Sequence, residues 1–334
     1  MQEYKKWLML NGAEQLEVLN NIRDKMNVVA ESVEKDWWVT QTLRLVFTMD
    51  CVPHLVFKGG TSLSKAWGLI DRFSEDIDLA LDRKFLGFDK EMTGAQVSKL
   101  RKKSFQYIST TFFEQLKEKF TKAGFNNINI QLAATTDNDQ DPLIIEVNYK
   151  SILKQAAYIQ PRVLVEVGSR SMIEPFTEKS FCSLVGEHFK GKEFADVVIT
   201  IPSVNPERTF LEKIFLLHEE FQKPEDKIRV DRLSRHLYDI EKMMDTPYAE
   251  IAIENMDLYN EIVEHRRTIT PLRGIDYDNH SPDKINFIPP DKFMSAWKKD
   301  YETMQESMIY KPSLPFDKLI ERLKTLKAKI NQLC

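Results

Sequence analysis

Hydrophobic positions near residue 60 change from the spacing of a strand to the spacing of a helix. The segment HLVF reads as a short buried strand, and a pair of glycines follows it. Leu63, Ala66 and Ile70 then recur at helical spacing. We therefore predict a strand, a glycine turn and a helix that starts near Thr61 or Ser62.

The next segment, DIDLAL, alternates with the period of a half-exposed strand. Ile77, Leu79 and Leu81 fall on one face of this strand, and Asp76 and Asp78 fall on the other. The two aspartates are thus predicted to share a face directly after the turn and its helix.

The rest of the chain changes from mixed strands and helices to helices alone. Helices are predicted over VEKDWWVTQTLRLVF and AQVSKLRKKSFQYISTTFFEQLKEKFTKAG, and strands within PLIIEVNY, RVLVEVGS and ADVVITIPS. Asn205 is a favourable N-cap and is followed by Pro206. From there, the pattern predicts helices over FLEKIFLLHEEF, IRVDRLSRHLYDIEKMM and the amphipathic FDKLIERLKTLKAKINQL. We predict two domains, residues 1–203 and 204–334.

Composition limits the classes of protein and partner. A chain of 334 residues with 42% hydrophobic residues can bury a large core, and a net charge of −4 gives no global nucleic-acid signature. Cys51, Cys182 and Cys334 lack metal-ligand spacing and are predicted to be reduced thiols. With no signal peptide and no long apolar run, we expect a cytoplasmic protein without membrane contact.

Paired carboxylates suggest a metal site. Asp76 and Asp78, two positions apart on one strand, can both reach one divalent cation, and Mg²⁺ favours a few carboxylates plus phosphate oxygens. A second ion needs a third carboxylate. Glu146 and Glu166 are the candidates, because each lies opposite the apolar face of its strand, although either could face solvent.

The glycine turn suggests a phosphate site. Gly59 and Gly60 allow backbone amides to approach a phosphate at a helix N-terminus, where the hydroxyls of Thr61 and Ser62 could also donate. Lys58 and Lys65 flank the turn and could contact phosphate, although Lys65 could equally point to water. The Walker A and GxGxxG motifs are absent, so metal-dependent nucleotidyl transfer fits best.

The stretch FKGGTSLSKAWGLIDRFSEDIDL resembles the AbiEii/AbiGii toxin family of nucleotidyltransferases, within the polymerase β superfamily. VEKDWWVT is similar to the family's N-terminal helix, TFLEKIFLLHE and RLSRHLYDI to its downstream motifs, and DYETMQESMIY to its C-terminal segment. The resemblance implies an α/β (α+β) fold. It would have a polymerase β-like core, with a mixed sheet flanked by helices, and a C-terminal helical region that completes the nucleotide site.

The resemblance also implies roles for residues of the turn and the strands. Gly60, Thr61 and Ser62 would bind nucleotide phosphates, and Asp76 and Asp78 would bind Mg²⁺. Glu166 matches the expected third carboxylate better than Glu146, which is kept as the alternative.

Further roles are implied in the C-terminal region. Lys213, unexpected inside an apolar helix, would contact the triphosphate, and Asp239 matches the family's late functional aspartate. Arg232, Arg235 or His236, and Asp239 are predicted on one helical face, so Arg232 is also a candidate for nucleotide binding. A salt-bridged helix face would give the same spacing.

The expected function is that of a nucleotidyltransferase toxin in a toxin–antitoxin or phage-defence system. It would move NMP from an NTP, with GTP, CTP and UTP not distinguished, to an acceptor such as the tRNA 3′ end. A cognate antitoxin would be encoded nearby. The alternatives are nucleotidylation of a protein or a small molecule, and a catalytically silent NTP- or RNA-binding module. The basic run KLRKK could follow an RNA backbone, but such runs are usually solvated helix faces.

Overall fold

A computed structural model describes residues 3–90, 92–153 and 159–333, and the chain divides into two compact units. The first unit comprises residues 1–66 and 73–204, and the second comprises residues 67–72 and 205–334. Cys51 is buried and Cys182 is half-buried, both as free thiols, whereas Cys334 lies outside the described residues.

A mixed sheet forms the centre of the first unit. In the described part of the chain it has seven strands in the order β3-β4-β5-β2-β1-β7-β6. Strand β1 runs parallel to β7 and β2 runs parallel to β5, and the other neighbours are antiparallel. The strands are β1 Leu55–Lys58, β2 Asp76–Leu81, β3 Ile128–Leu132, β4 Leu143–Tyr149, β5 Arg162–Gly168, β6 Phe176–Phe181 and β7 Ile199–Val204.

The sheet confirms the predicted mixed α/β class and the strands predicted from apolar runs. Strands β3 and β6 were not predicted. Both lie at the sheet's edges, where most of their residues are exposed or half-buried and many are polar, so neither presents an apolar run.

Helices pack on this sheet. The central one, α3, packs on β2, β5 and α6, and Trp38 on α3 stacks on Tyr149 of β4 at a ring distance of 4.7 Å. The helices of the first unit are α1 Glu3–Met9, α2 Gly12–Met26, α3 Ala30–Val46, α4 Gly59–Thr61, α5 Gly94–Tyr107, α6 Phe113–Ala123 and α7 Leu184–His188.

The glycine turn becomes a short helix. Helix α4 begins at Gly59, earlier than predicted, and continues as the π-helical turn Ser62–Ala66. We call residues 59–66 the glycine segment. The predicted continuation of this helix through Ile70 is wrong, because the helix ends at Ala66 and residues 67–72 group with the second unit.

The second unit is helical. Asn205 is at the N-cap position of α8 and Pro206 begins the helix, as predicted, but the Asn205 amide donates to Glu207 instead of capping the backbone. The predicted amphipathic stripe of α13 is buried. The helices are α8 Pro206–Gln222, α9 Ser234–Met243, α10 Pro247–Glu254, α11 Met256–Thr268, α12 Met294–Ser307 and α13 Phe316–Ile330.

A buried histidine on α8 gives this unit a pH-dependent stability. His218 Nδ1 accepts a hydrogen bond from the backbone N–H of Asn286 at 3.0 Å. Burial, with help from the neighbouring His280, lowers the pKa of His218 to about 4. The unfolded chain, with an ordinary histidine pKa of about 6.5, binds more protons between these values. The stabilising contribution is therefore complete above about pH 6.5 and is lost as the pH falls toward 4.

We expect the His218→Gln protein to lose less stability on acidification than the wild type, with a difference on the order of 2 kcal/mol between pH 7 and pH 4.5. Urea unfolding at several pH values in this range measures the free energy of unfolding of both proteins. The carboxylates titrate in both proteins, so the difference isolates His218. Parallel pH profiles for the two proteins would contradict the prediction.

Candidate active site

The face of the sheet opposite α3 carries the predicted metal ligands. On β2, Ile77 and Leu79 are buried against the helices, whereas Asp76 and Asp78 are half-buried on the other face. This agrees with the alternation predicted from DIDLAL.

Strand pairing places Glu166 next to Asp78. The two residues are directly opposite each other in the parallel pair of β2 and β5, and Lys58 is opposite Asp78 on β1. Directly opposite residues in neighbouring strands share a face and are about 5 Å apart. The row Lys58–Asp78–Glu166 therefore crosses three strands, with Asp76 two positions along on the same face.

Glu146 lies elsewhere in the same sheet. It is opposite Leu164 of β5, one strand farther from β2. Its carboxylate pairs with Arg162 Nη1 at 2.7 Å and accepts a hydrogen bond from Gln131 Nε2 at 2.9 Å. Because β5 lies between Glu146 and β2, whereas Glu166 is directly opposite Asp78, the register favours Glu166 as the third carboxylate.

Gly59 lies against the Asp78 carboxylate. Its φ of +78° is in the left-handed region, and a Cβ at this position would lie 2.0 Å from Asp78 Oδ2. Only glycine satisfies both constraints. The glycine segment and the DIDLAL strand thus meet at Gly59 and Asp78.

The hydroxyls of the glycine segment are both buried. Thr61 Oγ1 donates to the backbone carbonyl of Asp76, which ties the segment to the start of β2. Ser62 is 2% exposed, and its Oγ has no hydrogen-bond partner among the described residues. In the predicted phosphate-binding segment, a buried hydroxyl without a partner among the described residues is a candidate donor to a ligand oxygen.

Lys65 has a protein partner. Its Nζ lies 2.5 Å from Asp36 Oδ1 on α3, and the lysine side chain is 10% exposed. Contact of Lys65 with phosphate stays a prediction, and it requires the ammonium to leave Asp36.

In the second unit, Lys213 and Asp239 form a buried ion cluster with Arg72. Lys213 Nζ lies 2.8 Å from Asp239 Oδ2, and Arg72 binds both Asp239 oxygens at 2.7 Å. The Asp239 side chain is 0% exposed. Burial alone would raise the pKa of Asp239, but Arg72 and Lys213 outweigh it and hold that pKa well below its usual range. Burial also lowers the pKa of Lys213.

Arg72 was not predicted as a site residue. It lies within the opening motif, but its partner Asp239 is 167 positions away, so local spacing gives no sign of the pair.

The predicted helical face that includes Arg232 is wrong. Helix α9 begins only at Ser234, and Arg232 has a left-handed φ of 59°. Asp300 accepts hydrogen bonds from the backbone N–H groups of Arg232 and Ser234, which fixes the start of the helix after Arg232. Nucleotide binding by Arg232 stays a prediction.

Comparison with known protein families identifies the chain. A sequence profile of the family described as nucleotidyl transferase AbiEii toxin, type IV TA system, matches residues 49–322. The chain belongs to the AbiEii nucleotidyltransferase toxin family. The resemblance inferred from the sequence is confirmed.

Two solved structures resemble this AbiEii-family chain. JHP933 from Helicobacter pylori is 15% identical with a TM-score of 0.44, over 91% of this chain and 94% of that one. A candidate nucleotidyltransferase from H. pylori is 15% identical with a TM-score of 0.41, over 87% and 92% of the respective chains. The comparison with curated proteins finds no match.

Family membership makes the chain a nucleotidyltransferase, with an NTP as its substrate and an antitoxin as the partner implied by a type IV system. None of the helices in the described residues has the length and apolar character needed to span a bilayer.

Replacement of Gly59 tests the contact between the glycine segment and Asp78, a predicted metal ligand. We expect Gly59→Ala to lower nucleotidyltransferase activity at least about 100-fold, because the new methyl group displaces Asp78 or the segment, and a small misplacement has this effect on catalysis. Initial rates of pyrophosphate release measure it.

Gly124→Ala is the matched control. Gly124 also has a positive φ, of +89°, but nothing lies within 4 Å of its added Cβ. This variant is expected to lose stability through backbone strain and to keep its activity. Equal activity losses in both variants would show that strain, and not the contact with Asp78, is responsible.

Proposed function

We propose that this AbiEii-family protein transfers NMP from an NTP to an acceptor hydroxyl in a Mg²⁺-dependent reaction. The observation that carries the proposal is the row of carboxylates on one sheet face. Asp78 and Glu166 are direct neighbours, Asp76 is two positions away, and Gly59 lies against Asp78.

The donor set suits Mg²⁺. Asp76, Asp78 and Glu166 would supply carboxylate oxygens, the ligands that this ion prefers. Within the described residues, no three His, Cys, Asp or Glu side chains form a ready-made metal cage. Mg²⁺ does not require one, because it retains waters and takes its remaining ligands from substrate phosphates. When bound, the ion would neutralise developing phosphate charge and lower the pKa of a bound hydroxyl.

The glycine segment would hold the phosphates. The first amides of a helix have no intrahelical acceptor, so those at Gly59 and Gly60 are suited to bind phosphate oxygens. The buried Ser62 hydroxyl, which lacks a partner among the described residues, would add a donor. Thr61 keeps the segment attached to β2, and Lys58, in the same row as Asp78, would add positive charge.

The transfer forms a bond between the acceptor oxygen and the α-phosphorus and breaks the bond from that phosphorus to the oxygen bridging it to the β-phosphate. Pyrophosphate leaves with that oxygen. The acceptor proton would pass to Glu166, which lies beside Asp78 on the same face. Asp76 and Asp78 would orient the reacting groups through their carboxylates.

Lys213 and Asp239 are proposed as further functional residues on the basis of the resemblance. Lys213 would contribute positive charge toward the triphosphate, and Asp239 would fix its ammonium through the 2.8 Å ion pair. Arg232 and Lys65 complete the set proposed for nucleotide binding.

For the acceptor, we propose the 3′ end of tRNA, and for the cellular role a toxin in phage defence that a cognate antitoxin restrains. This proposal depends on the family. If the label is found on a protein or a small molecule instead, the acceptor is not tRNA, but the proposed nucleotidyltransferase activity stands.

The test is incubation of the protein with each α-labelled NTP, Mg²⁺ and total tRNA, with EDTA and Asp76→Ala as controls. We expect label on RNA that requires both the metal and Asp76, with growth arrest on expression of the wild type only. NTP binding without transfer to RNA, protein or small molecules, together with harmless expression, would contradict the proposal and support a silent binding module.

A further inference from the structure

Helix α3 carries three consecutive buried charges, Glu34, Lys35 and Asp36. Glu34 and Lys35 are each 5% exposed, and the Asp36 side chain is 9% exposed. Consecutive helical residues point about 100° apart, and a buried charge is costly unless it is paired. Each of the three therefore needs a partner from a different segment of the chain.

Lys35 is paired at the start of β2. Its Nζ lies 2.5 Å from Glu75 Oε2 and 3.3 Å from the backbone carbonyl of Gln160. Both side chains are largely buried, at 6% and 11% exposure for Lys35 and Glu75. Glu75 immediately precedes Asp76, so this ion pair fixes the backbone from which the first metal carboxylate projects.

Asp36 is paired with the glycine segment. Its Oδ1 binds Lys65 Nζ in the glycine segment at 2.5 Å, and its Oδ2 accepts a hydrogen bond from the backbone N–H of Leu184 at 2.7 Å. Adjacent positions of one rigid helix thus hold the end of the glycine segment and the start of β2.

We infer that Lys35 and Asp36 are positioning residues for nucleotidyl transfer. They act through Glu75 and Lys65, and they set the distance between the phosphate-binding segment and the metal carboxylates. The inference rests on the proposed metal site at Asp76 and Asp78. It accounts for Lys35 and Asp36, two of the three buried charges of VEKDWW, in a helix that packs into the core.

Glu34 provides a matched control on the same helix. Its carboxylate accepts hydrogen bonds from Ser151 Oγ at 2.6 Å and from the backbone N–H of Ile152 at 2.9 Å. These residues follow β4 and belong to neither the glycine segment nor β2. Glu34→Gln therefore disturbs a buried charge of the same helix without loosening the site.

The experiment measures binding of Mn²⁺ alone by electron paramagnetic resonance, with thermal unfolding recorded for every protein. We expect Lys35→Met and Glu75→Gln to raise the Mn²⁺ dissociation constant about tenfold, because either change frees the start of β2. Glu34→Gln is expected to lower the melting temperature but to keep Mn²⁺ binding within about twofold of the wild type. If Lys35→Met does not fold, Glu75→Gln, which removes the charge of the pair with a side chain of the same size, decides the question.

Asp36 is tested through nucleotide binding, by equilibrium dialysis of the four NTPs. Asp36→Asn is expected to raise the dissociation constant of the most tightly bound NTP about tenfold. Adding Lys65→Met removes the buried uncompensated ammonium and is expected to restore the melting temperature. Because Lys65 is itself proposed to bind nucleotide, the NTP affinity of this double variant is compared with that of the Lys65→Met single variant, and the two are expected to agree. An Asp36→Asn protein that keeps the wild-type NTP affinity would overturn the positioning role of Asp36.

The outcomes separate this inference from the proposed function. If Asp76→Asn binds Mn²⁺ as the wild type does, the proposed metal site fails and the inference fails with it. If Asp76→Asn loses the metal while Lys35→Met and Glu75→Gln retain wild-type affinity, the metal site stands and the positioning role of Lys35 is overturned.

Discussion

The Asp78→Asn protein is expected to lose nucleotidyl transfer by at least about a thousandfold while it folds as well as the wild type. Loss of a metal carboxylate removes several kcal/mol of transition-state stabilisation, and each factor of ten corresponds to about 1.4 kcal/mol. Folding is spared because Asp78 is half-buried beside Glu166, and removing one of two neighbouring carboxylates relieves repulsion.

The measurement is the initial rate of pyrophosphate release at saturating NTP over a range of Mg²⁺ concentrations, together with the melting temperature. Asp82→Asn is the matched control, because Asp82 directly follows β2. Among the described residues, its carboxylate accepts a hydrogen bond only from the backbone N–H of Lys84, at 2.9 Å. We expect this control to retain activity. An Asp78→Asn protein within tenfold of the wild-type rate would place the metal elsewhere.

The Asp239→Asn change is expected to lower the free energy of unfolding by about 3–5 kcal/mol, the usual result of breaking a buried ion pair from one side. Asp239 is the single carboxylate between Lys213 and Arg72 in this cluster, and the three side chains are at most 7% exposed. Without it, Lys213 and Arg72 lose the carboxylate that both bind, and two buried cations are left close together.

Urea unfolding followed by circular dichroism measures this effect. Lys213→Met is expected to be milder, because Asp239 keeps both of its 2.7 Å hydrogen bonds to Arg72. Asp245→Asn is the surface control, since Asp245 pairs with Arg322 at 71% exposure and should contribute less than about 1 kcal/mol. If Asp239→Asn lowers the free energy of unfolding no more than Asp245→Asn does, small fluctuations of the structure must let solvent reach the cluster.

Local periodicity was sufficient for the parts of the site that lie on one strand or turn. The alternation of DIDLAL placed Asp76 and Asp78 on one face, and the glycines placed the turn before them. Glu166 could be preferred over Glu146 only through the family, because strand order and register depend on packing across the whole sheet. The structure supplies that register and sets Glu166 opposite Asp78.

Other features were inaccessible to spacing arguments. The start of α9 depends on Asp300, a residue from another helix, so the helical pattern extended too far toward Arg232. The partners of Lys35, Asp36 and Lys213 come from distant segments, and periodicity identifies a buried charge without identifying what neutralises it.

The place of Arg72 in the chain has a consequence for biosynthesis. Arg72 belongs to residues 67–72 of the second unit, but it leaves the ribosome long before Asp239, which lies 167 positions later. A nascent or truncated chain that ends before α9 carries this guanidinium without its carboxylate. A fragment that starts at residue 204 has the opposite defect, since it retains Lys213 and Asp239 but lacks Arg72. Within one chain, the second unit can therefore complete its ion cluster only after synthesis has passed Asp239.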